Sequence, residues 1–325
     1  MQKCMVTDKP LVSILMAVYK PNERWLREQL SSLNGQTYSN LELLIYDDCP
    51  ACPLDEEIVR DMITAFPYRI IRGEKNLGSN KAFERLTAEG EGKYFSYCDQ
   101  DDVWHSDKVE RMTDVLESTG SPLVCSDLAI IDGDGKQIAD SITKIRKRHV
   151  FYEGDGLASS LLVKNFVTGC AMLIRSEVAK NAVPFMDSLV HDQWLAINAA
   201  LCGRIEVIRE RLIDYRQHNG NQTSILHGIT DKKSYYYERI EKFLLKINEY
   251  KLRLYSGKLA AEIDKLDEFY NARKRYFNKP GISELRIMWK YRDIARDSVL
   301  LESVMMLIPE WLFKIIINLA KKGKI

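Results

Sequence analysis

The sequence predicts an α/β fold, a mixed and mostly parallel sheet flanked by helices, followed by a helical C-terminal domain. Three observations carry this. Short apolar runs alternate with amphipathic stretches through the first part of the chain, the pattern of repeated strand–helix units. Two of those runs end in acidic clusters, Asp47-Asp48 and Asp99-Gln100-Asp101-Asp102. From about Asp231 onward the pattern is helical, with Ile240, Phe243, Leu244, Ile247 and Leu254 marking one face.

Leu11 to Tyr19 reads as the first strand. Glu23 to Leu33 follows as a helix, because Trp25, Leu26, Leu30 and Leu33 recur at helical spacing. Leu41 to Tyr46 is the second strand, Asp55 to Phe66 a helix, and Tyr68 to Ile71 the third strand. Lys81 to Glu89 reads as a helix and Lys93 to Cys98 as a strand. In parallel sheets ligands bind beyond the carboxyl ends of the strands, so both acidic clusters should face one crevice. After a helix over Asp107 to Glu117 the pattern changes. Leu123 to Ile131 is apolar and ends in Asp132-Gly133-Asp134-Gly135, a hairpin-type turn signal. Thr143 to Val150, with Lys144, Arg146, Lys147, Arg148 and His149, reads as an exposed loop. Phe166 to Ile174 is expected as a strand, Asp192 to Leu201 as a helix, and Arg204 to Ile208 and Leu212 to Tyr215 as two short strands. Gly257 and Lys279-Pro280-Gly281 punctuate the helical region. The expected domains are 1–228 and 229–325, with no internal repeat.

The length of 325 residues suits two domains. Hydrophobic residues at 46% and charged residues at 29% exclude wholesale disorder. Lys+Arg is 47 against Asp+Glu 46, which argues against a nucleic-acid binder. Seven cysteines, an odd count in a long chain, suit a reducing compartment, so a cytoplasmic location is expected. The run Leu11 to Tyr19 is too short to span a bilayer and is followed by Lys20-Pro21-Asn22-Glu23-Arg24, and no transmembrane helix is expected elsewhere.

The strongest chemical signal is Tyr97-Cys98-Asp99-Gln100-Asp101-Asp102-Val103-Trp104. Crowded carboxylates repel one another, and a cation relieves that repulsion. Oxygen ligands favour Mg²⁺ or Mn²⁺, which bridges protein carboxylates to substrate phosphates. An acid at a strand end, such as Asp47, can accept hydrogen bonds from a nucleobase or a ribose. Cys49-Pro50-Ala51-Cys52 reads as a turn, since the second CxxC that a four-sulfur zinc site needs is absent. Arg72 reads as a surface residue, Trp104 as packing, and Asn76-Leu77-Gly78 as turn chemistry.

Taken in order, Ala17-Val18-Tyr19, Asp47-Asp48, Asn76-Leu77-Gly78 and Asp99-Gln100-Asp101-Asp102-Val103-Trp104 resemble the inverting glycosyltransferases of family 2, which have the Rossmann-like GT-A fold. Asn165 to Cys170, His191-Asp192-Gln193-Trp194-Leu195 and Tyr215-Arg216-Gln217-His218-Asn219-Gly220-Asn221 extend the resemblance toward the bacterial rhamnosyltransferase-like branch, over roughly residues 10–226. The resemblance implies roles residue by residue. Ala17 and Tyr19 would line the base pocket, Asp47 would bind the base edge, and Asp99 the ribose. Gln100 and Lys81 would belong to the donor side. Asp101 would hold the metal, and His218 falls at a diphosphate or metal contact. Asp192 falls at the general base, with His191, Trp194 and Gly169 on the acceptor side. Departures are Lys20, the Cys49 turn, and Asn80-Lys81-Ala82.

The implied reaction moves a sugar (rhamnose, galactose or similar) from a UDP- or dTDP-sugar to a cell-surface polysaccharide or a lipid-linked glycan. It needs Mn²⁺ or Mg²⁺ and one carboxylate base. The alternatives are a sugar-phosphate nucleotidyltransferase and an inactive glycan-binding protein on the same fold. An ordinary helix N-cap is the alternative role for Asp192. In 307–325, Trp311, Leu312, Ile315, Ile316 and Leu319 form an apolar stripe, with Lys314, Lys321, Lys322 and Lys324 outweighing Glu310. Such a segment can lie on an anionic membrane surface, or it packs on its own domain or in a homodimer.

Overall fold

The computed structural model describes residues 9–146, 149–218 and 228–321. Lys147 and Arg148, Asn219 to Asn221 of the last motif, and Lys322 and Lys324 lie outside the described residues. The chain divides into two compact units, Met1–Asn219 and Gly220–Ile325. The boundary expected near 228 adjoins residues 219–227, which are not described.

The first unit begins with Val12–Val18 (β1), Glu23–Asn34 (α1), Leu41–Asp47 (β2), Glu56–Met62 (α2), Tyr68–Arg72 (β3), Ser79–Glu89 (α3) and Tyr94–Cys98 (β4). It continues with Val103–Trp104 (β5), Lys108–Thr119 (α4), Leu123–Ile131 (β6), Gln137–Ala139 (β7), Ile142–Ile145 (α5) and Ala158–Val163 (α6). Met172–Arg175 (β8), Ser176–Asn181 (α7), His191–Cys202 (α8) and Ile205–Arg216 (β9) complete it. The described strands form one sheet in the order β3-β2-β1-β4-β8-β6-β9-β5, with β7 paired to β6. β3, β2, β1 and β4 are parallel, as strands joined by crossover helices must be. β8 runs antiparallel to both β4 and β6, while β6 and β9 are parallel.

Strands covered on both faces read as continuous apolar runs, and β1 is buried along nearly its whole length. Ile14 and Met16 share a core with Leu26, Leu30 and Leu33, the inner stripe of α1. Asn22 caps that helix by accepting from Trp25 N at 3.2 Å. The parallel half places the ends of β1, β2 and β4 side by side, with Val18 opposite Asp47 and Met16 opposite Cys98.

Several expectations need correction. Phe166 to Ala171 is not strand, and only Met172–Arg175 pairs in the sheet. Asn165 folds its side chain onto the Val167 N–H (3.0 Å) and C=O (2.8 Å), so these backbone groups bond locally instead of to a ladder. Arg204 to Tyr215 holds one strand rather than two. Its register against β6 shifts near Asp127, beside the exposed run Arg209-Glu210-Arg211 that disguises its continuity. The segment expected as a loop at Thr143 overlaps a helical turn, Ile142–Ile145, anchored by buried Ile142.

The second unit is helical among its described residues: Lys232–Tyr236 (α9), a π-helical turn Tyr237–Glu241, Lys242–Arg253 (α10), Gly257–Asn278 (α11), Ile282–Lys290 (α12), Arg296–Met305 (α13) and Glu310–Lys321 (α14). Asp231 and Ser234 close a capping box on α9. Its interior holds the ion pair Arg273–Glu302, with Nε to Oε2 at 2.9 Å, and Tyr235 donates to the same carboxylate at 2.9 Å. Burial of an ion pair is tolerated when its lone pairs are filled in this way. The face of α14 that packs inward is Phe313 and Ile317, with Tyr235 and Met305, and neither belongs to the expected stripe. Of that stripe Trp311 and Ile315 are exposed and Leu312, Ile316 and Leu319 half-buried, and Lys314 is exposed beside them.

Candidate active site

Three adjacent strand ends supply the first wall. Just after β1, Lys20 takes φ 44°, which turns the chain sharply out of the strand. Tyr19 stands exposed there and Ala17 half-buried below it. Gln100 clamps the turn: its Oε1 accepts from Tyr19 N at 2.8 Å and its Nε2 donates to Tyr19 O at 3.2 Å. Asp47 lies 2% exposed at the end of β2. Its carboxylate accepts from Leu54 N (2.8 Å), Cys49 N (3.2 Å) and the Arg72 guanidinium (2.7 Å). Asp48 accepts from Leu77 N (2.6 Å) and Gly78 N (2.8 Å), fixing the entry to α3, where Gly78 takes φ 80°.

The acidic turn after β4 is held from behind by Arg216, which is 1% exposed at the end of β9. Its backbone N–H reaches Asp102 Oδ1 at 2.9 Å and its Nε reaches Asp101 O at 2.7 Å. Nη1 meets Asp132 O at 3.2 Å, and Nη2 pairs with Glu28 Oε2 at 2.5 Å. Two residues on, His218 Nε2 lies 2.7 Å from Asp101 Oδ2, and its ring packs 4.8 Å from Trp25. Trp25 in turn donates to Gly133 O at 2.8 Å.

Asp192 sits in the first turn of α8, whose N-cap is Val190, so the N-cap role falls away. Oδ1 accepts from Asn165 Nδ2 (2.9 Å) and Gln193 N (2.6 Å), and Oδ2 from Gly169 N (3.2 Å). Those donors favour the charged form, yet burial outweighs them and pushes the carboxyl up to about 6. Gly169 leaves room where a side chain cannot fit, because a Cβ there would lie 2.5 Å from His191 Nε2. His191 packs against Phe83 and Tyr97 at 4.2 and 5.3 Å, and burial lowers its pKa to about 3, so it stays neutral.

The residues fit a hard divalent cation. Asp99 and Asp102 carboxylate oxygens and Cys170 Sγ lie within 4.8 Å of one another. Asp102 Oδ2 is buried without a hydrogen-bond partner among the described residues. Burial, then the charges of Asp101 and Asp192, push Asp99 up to about 7, and Asp102 is raised well above the usual carboxylate range by burial first. Such a set of acids ionises together only beside a cation. Cys170 is a buried thiol raised well above its usual value, first by burial, and a hard cation prefers oxygen. The oxygen donors of that cluster are Asp99 and Asp102, and Asp101 stands between them in sequence with its Oδ2 on His218.

Three side chains expected at the substrates are engaged by the protein itself. Trp194 is 2% exposed and donates to Ala182 O at 2.7 Å, so it is core rather than an acceptor-side wall. Lys81 pairs with Glu84 and Asp187, each at 3.0 Å. Gln100 serves the Tyr19 backbone. Arg72 lies at the surface as expected, and its guanidinium also pairs with Asp47. Asn165, Cys170 and Arg216 stood within quoted motifs without an assigned role, and only their position in those motifs hinted at the site.

The sequence model of glycosyl transferase family 2 matches residues 13–182, more than half of the 325-residue chain, and the chain belongs to that family. It is 25% identical to an uncharacterised glycosyltransferase of Nostoc sp., over 86% of this chain and 89% of that one. It is 22% identical to TuaG of Bacillus subtilis, named for teichuronic acid biosynthesis, over 73% and 91%. In structure it is similar to TarS of S. aureus, crystallised with UDP-GlcNAc, at a TM-score of 0.55 and 16% identity, covering 89% of this chain and 82% of that one. The fold is GT-A and the chain is a glycosyltransferase. The nucleotidyltransferase and binding-only alternatives fall with that assignment.

Arg216→Met should remove the side-chain donor to Asp101 O and one of the donors to Asp132 O, Gly133 O and Glu28, which keep Gly135 N, Trp25 Nε1 and Arg24. The expected loss is about 2 kcal/mol of unfolding free energy, read by urea denaturation, in line with several hydrogen bonds at about 1 kcal/mol or less each. A change below about 0.5 kcal/mol, the range of ordinary surface substitutions, would mean the acidic turn holds itself.

Proposed function

We propose that this chain is an inverting transferase that moves a sugar from a UDP- or dTDP-sugar to a cell-surface polysaccharide or lipid-linked glycan. The observation that carries the reading is Asp192: a carboxylate held by Asn165 and Gly169, poised near neutrality, and close enough to Asp99 for its charge to be felt there. In an inverting transfer Asp192 takes the acceptor hydroxyl proton as that oxygen attacks the anomeric carbon. The bond from that carbon to the nucleoside diphosphate breaks in the same step, with no covalent enzyme intermediate. Ala17, Tyr19 and Asp47 bind the base, Asp99 the ribose, and Asp101 with His218 the Mn²⁺ or Mg²⁺. When bound, the cation neutralises charge on the departing diphosphate. The UDP-GlcNAc bound to TarS supports a nucleotide-sugar donor, and the name of TuaG supports a polysaccharide product.

Asp192→Asn should stay folded, bind UDP or dTDP with Mn²⁺, and lose transfer by at least ~10²-fold. Near wild-type turnover would move the base elsewhere. In the wild type the base works ionised, so kcat/KM should fall about tenfold per pH unit below about 6. A rate flat down to pH 5 would contradict that assignment.

Asp101→Ala should abolish the Mn²⁺ dependence of nucleotide binding, measured by isothermal titration, because its carboxylate joins protein to metal. Equal affinity with and without Asp101 would remove it from the metal site.

The outward face of α14 suits an anionic lipid surface, which would bring a lipid-linked acceptor to the enzyme from the cytoplasmic side. Trp311 is 63% exposed and Ile315 47%, with Lys314 exposed between them. Replacing Trp311 and Ile315 by Ser should weaken binding to anionic vesicles at low salt by about tenfold or more. Unchanged vesicle binding, with a dimer that dissociates in the variant, would assign this face to a second copy.

A further inference from the structure

The turn at Cys49-Pro50-Ala51-Cys52 has no part in the chemistry above, yet it wraps the carboxylate of Asp47. Cys52 N donates to Cys49 O at 3.1 Å, which closes a four-residue β-turn. A β-turn holds its first and last Cα atoms within about 7 Å, the span a disulfide bridges. Pro50 fixes φ at the second position and Pro53 follows the turn, so the segment has little freedom to separate the two residues. The thiols differ in access: both are free, Cys49 is 2% exposed and Cys52 is on the surface. An oxidant therefore meets Cys52 first, with Cys49 beside it to resolve the product. Among the other described cysteines, Cys98, Cys125 and Cys170 are buried and Cys202 lies on α8, so none shares this arrangement.

We propose that Cys49 and Cys52 form a reversible disulfide whose closure weakens donor binding. With a peroxide as oxidant, the Cys52 thiolate attacks the peroxide O–O bond, giving a sulfenic acid and water. The Cys49 thiolate then attacks that sulfur, the S–S bond forms, and the sulfenic oxygen leaves as water. Two thiols lose two electrons and two protons, and a dithiol restores them by exchange. The effect on donor binding rests on Asp47 holding the base. Asp47 accepts from Cys49 N and Leu54 N, at the two ends of this segment. Bridging holds the Cβ atoms near ~3.8 Å apart, and any adjustment of the turn this requires passes to that carboxylate through the Cys49 and Leu54 N–H groups.

The test treats the full chain with hydrogen peroxide, blocks remaining thiols and maps the peptide by mass. A peptide lighter by about 2 Da, unblocked at both cysteines and restored by dithiothreitol, is expected. UDP affinity with Mn²⁺ should fall roughly fivefold on oxidation, about the value of one hydrogen bond, and recover on reduction. Cys52→Ser, which changes only the exposed thiol, should bind UDP like the reduced wild type and ignore peroxide. Oxidation of Cys52 to sulfinic acid with Cys49 still free would overturn the disulfide. A bridge that leaves UDP or dTDP affinity unchanged would overturn the control of donor binding. If the reduced chain binds neither nucleotide, the donor reading fails, and the mass of the peptide still decides the disulfide.

Discussion

The guanidinium of Arg216 is the constraint on which the rest of the site depends. A fully buried cation is costly to desolvate, and only several well-placed acceptors offset that cost. Arg216 finds them in three separate parts of the chain: the carbonyl of Asp101, the carbonyls at Asp132 and Gly133, and the carboxylate of Glu28; its backbone N–H adds a bond to the carboxylate of Asp102. The acidic turn, the β6–β7 hairpin, α1 and the end of β9 are thereby fixed to one another. Planarity matters here, because a forked donor set reaches several acceptors in one geometry where an ammonium would reach fewer. His218 rides on the same anchor, which sets its ring between Trp25 and Asp101.

Behind that turn lies a second buried cation, Lys108, with Nζ on Ser96 Oγ at 3.0 Å and over the Trp104 ring at 3.2 Å. Burial lowers its pKa to about 7. Buried bases and acids are thus interleaved here: Arg216, Lys108 and Asp102 are all fully buried, and the carboxylates are crowded enough to hold protons unless a cation arrives. Asp192 belongs to a different environment, where three N–H donors oppose burial and lose narrowly. Different neighbours bring Asp192 to about 6 and Asp99 to about 7, so Asp192 is the more readily ionised of the two and the one suited to accept a proton at neutral pH.

Strand–helix alternation was legible through β4 because it is a local property: each parallel strand is a continuous apolar run and each helix carries one apolar stripe. The order of the strand ends was legible for the same reason, since parallel strands bring their carboxyl ends to one edge. Beyond β4 the long elements α4, β6 and α8 were legible as well, but the strands β5, β8 and β9 were not. β8 is four residues long and follows a loop whose apolar residues, Phe166, Val167 and Cys170, are buried without joining a ladder. β9 crosses a charged run where its register shifts, so periodicity breaks where pairing continues. β5 is two residues and is defined by its partner alone.

Motif position located the crevice but did not say which atoms face it. Trp194 follows Asp192 on a helix that is apolar on most of its circumference, so the large ring goes to the core and its N–H takes the nearest free carbonyl, that of Ala182. Gln100 lies between two acids, yet an amide that can both donate and accept is the side chain suited to seal a strand end with both backbone groups open, and Tyr19 offers that end. Lys81 meets two carboxylates close by. In each case a polar group near the site satisfies the protein before it satisfies a ligand, as buried or half-buried hydrogen-bonding atoms must. Asp102 Oδ2 is among the buried atoms of the described residues that break that rule. It differs from the others in standing beside acids that repel it, so a cation bound there would relieve the missing contact and the repulsion together.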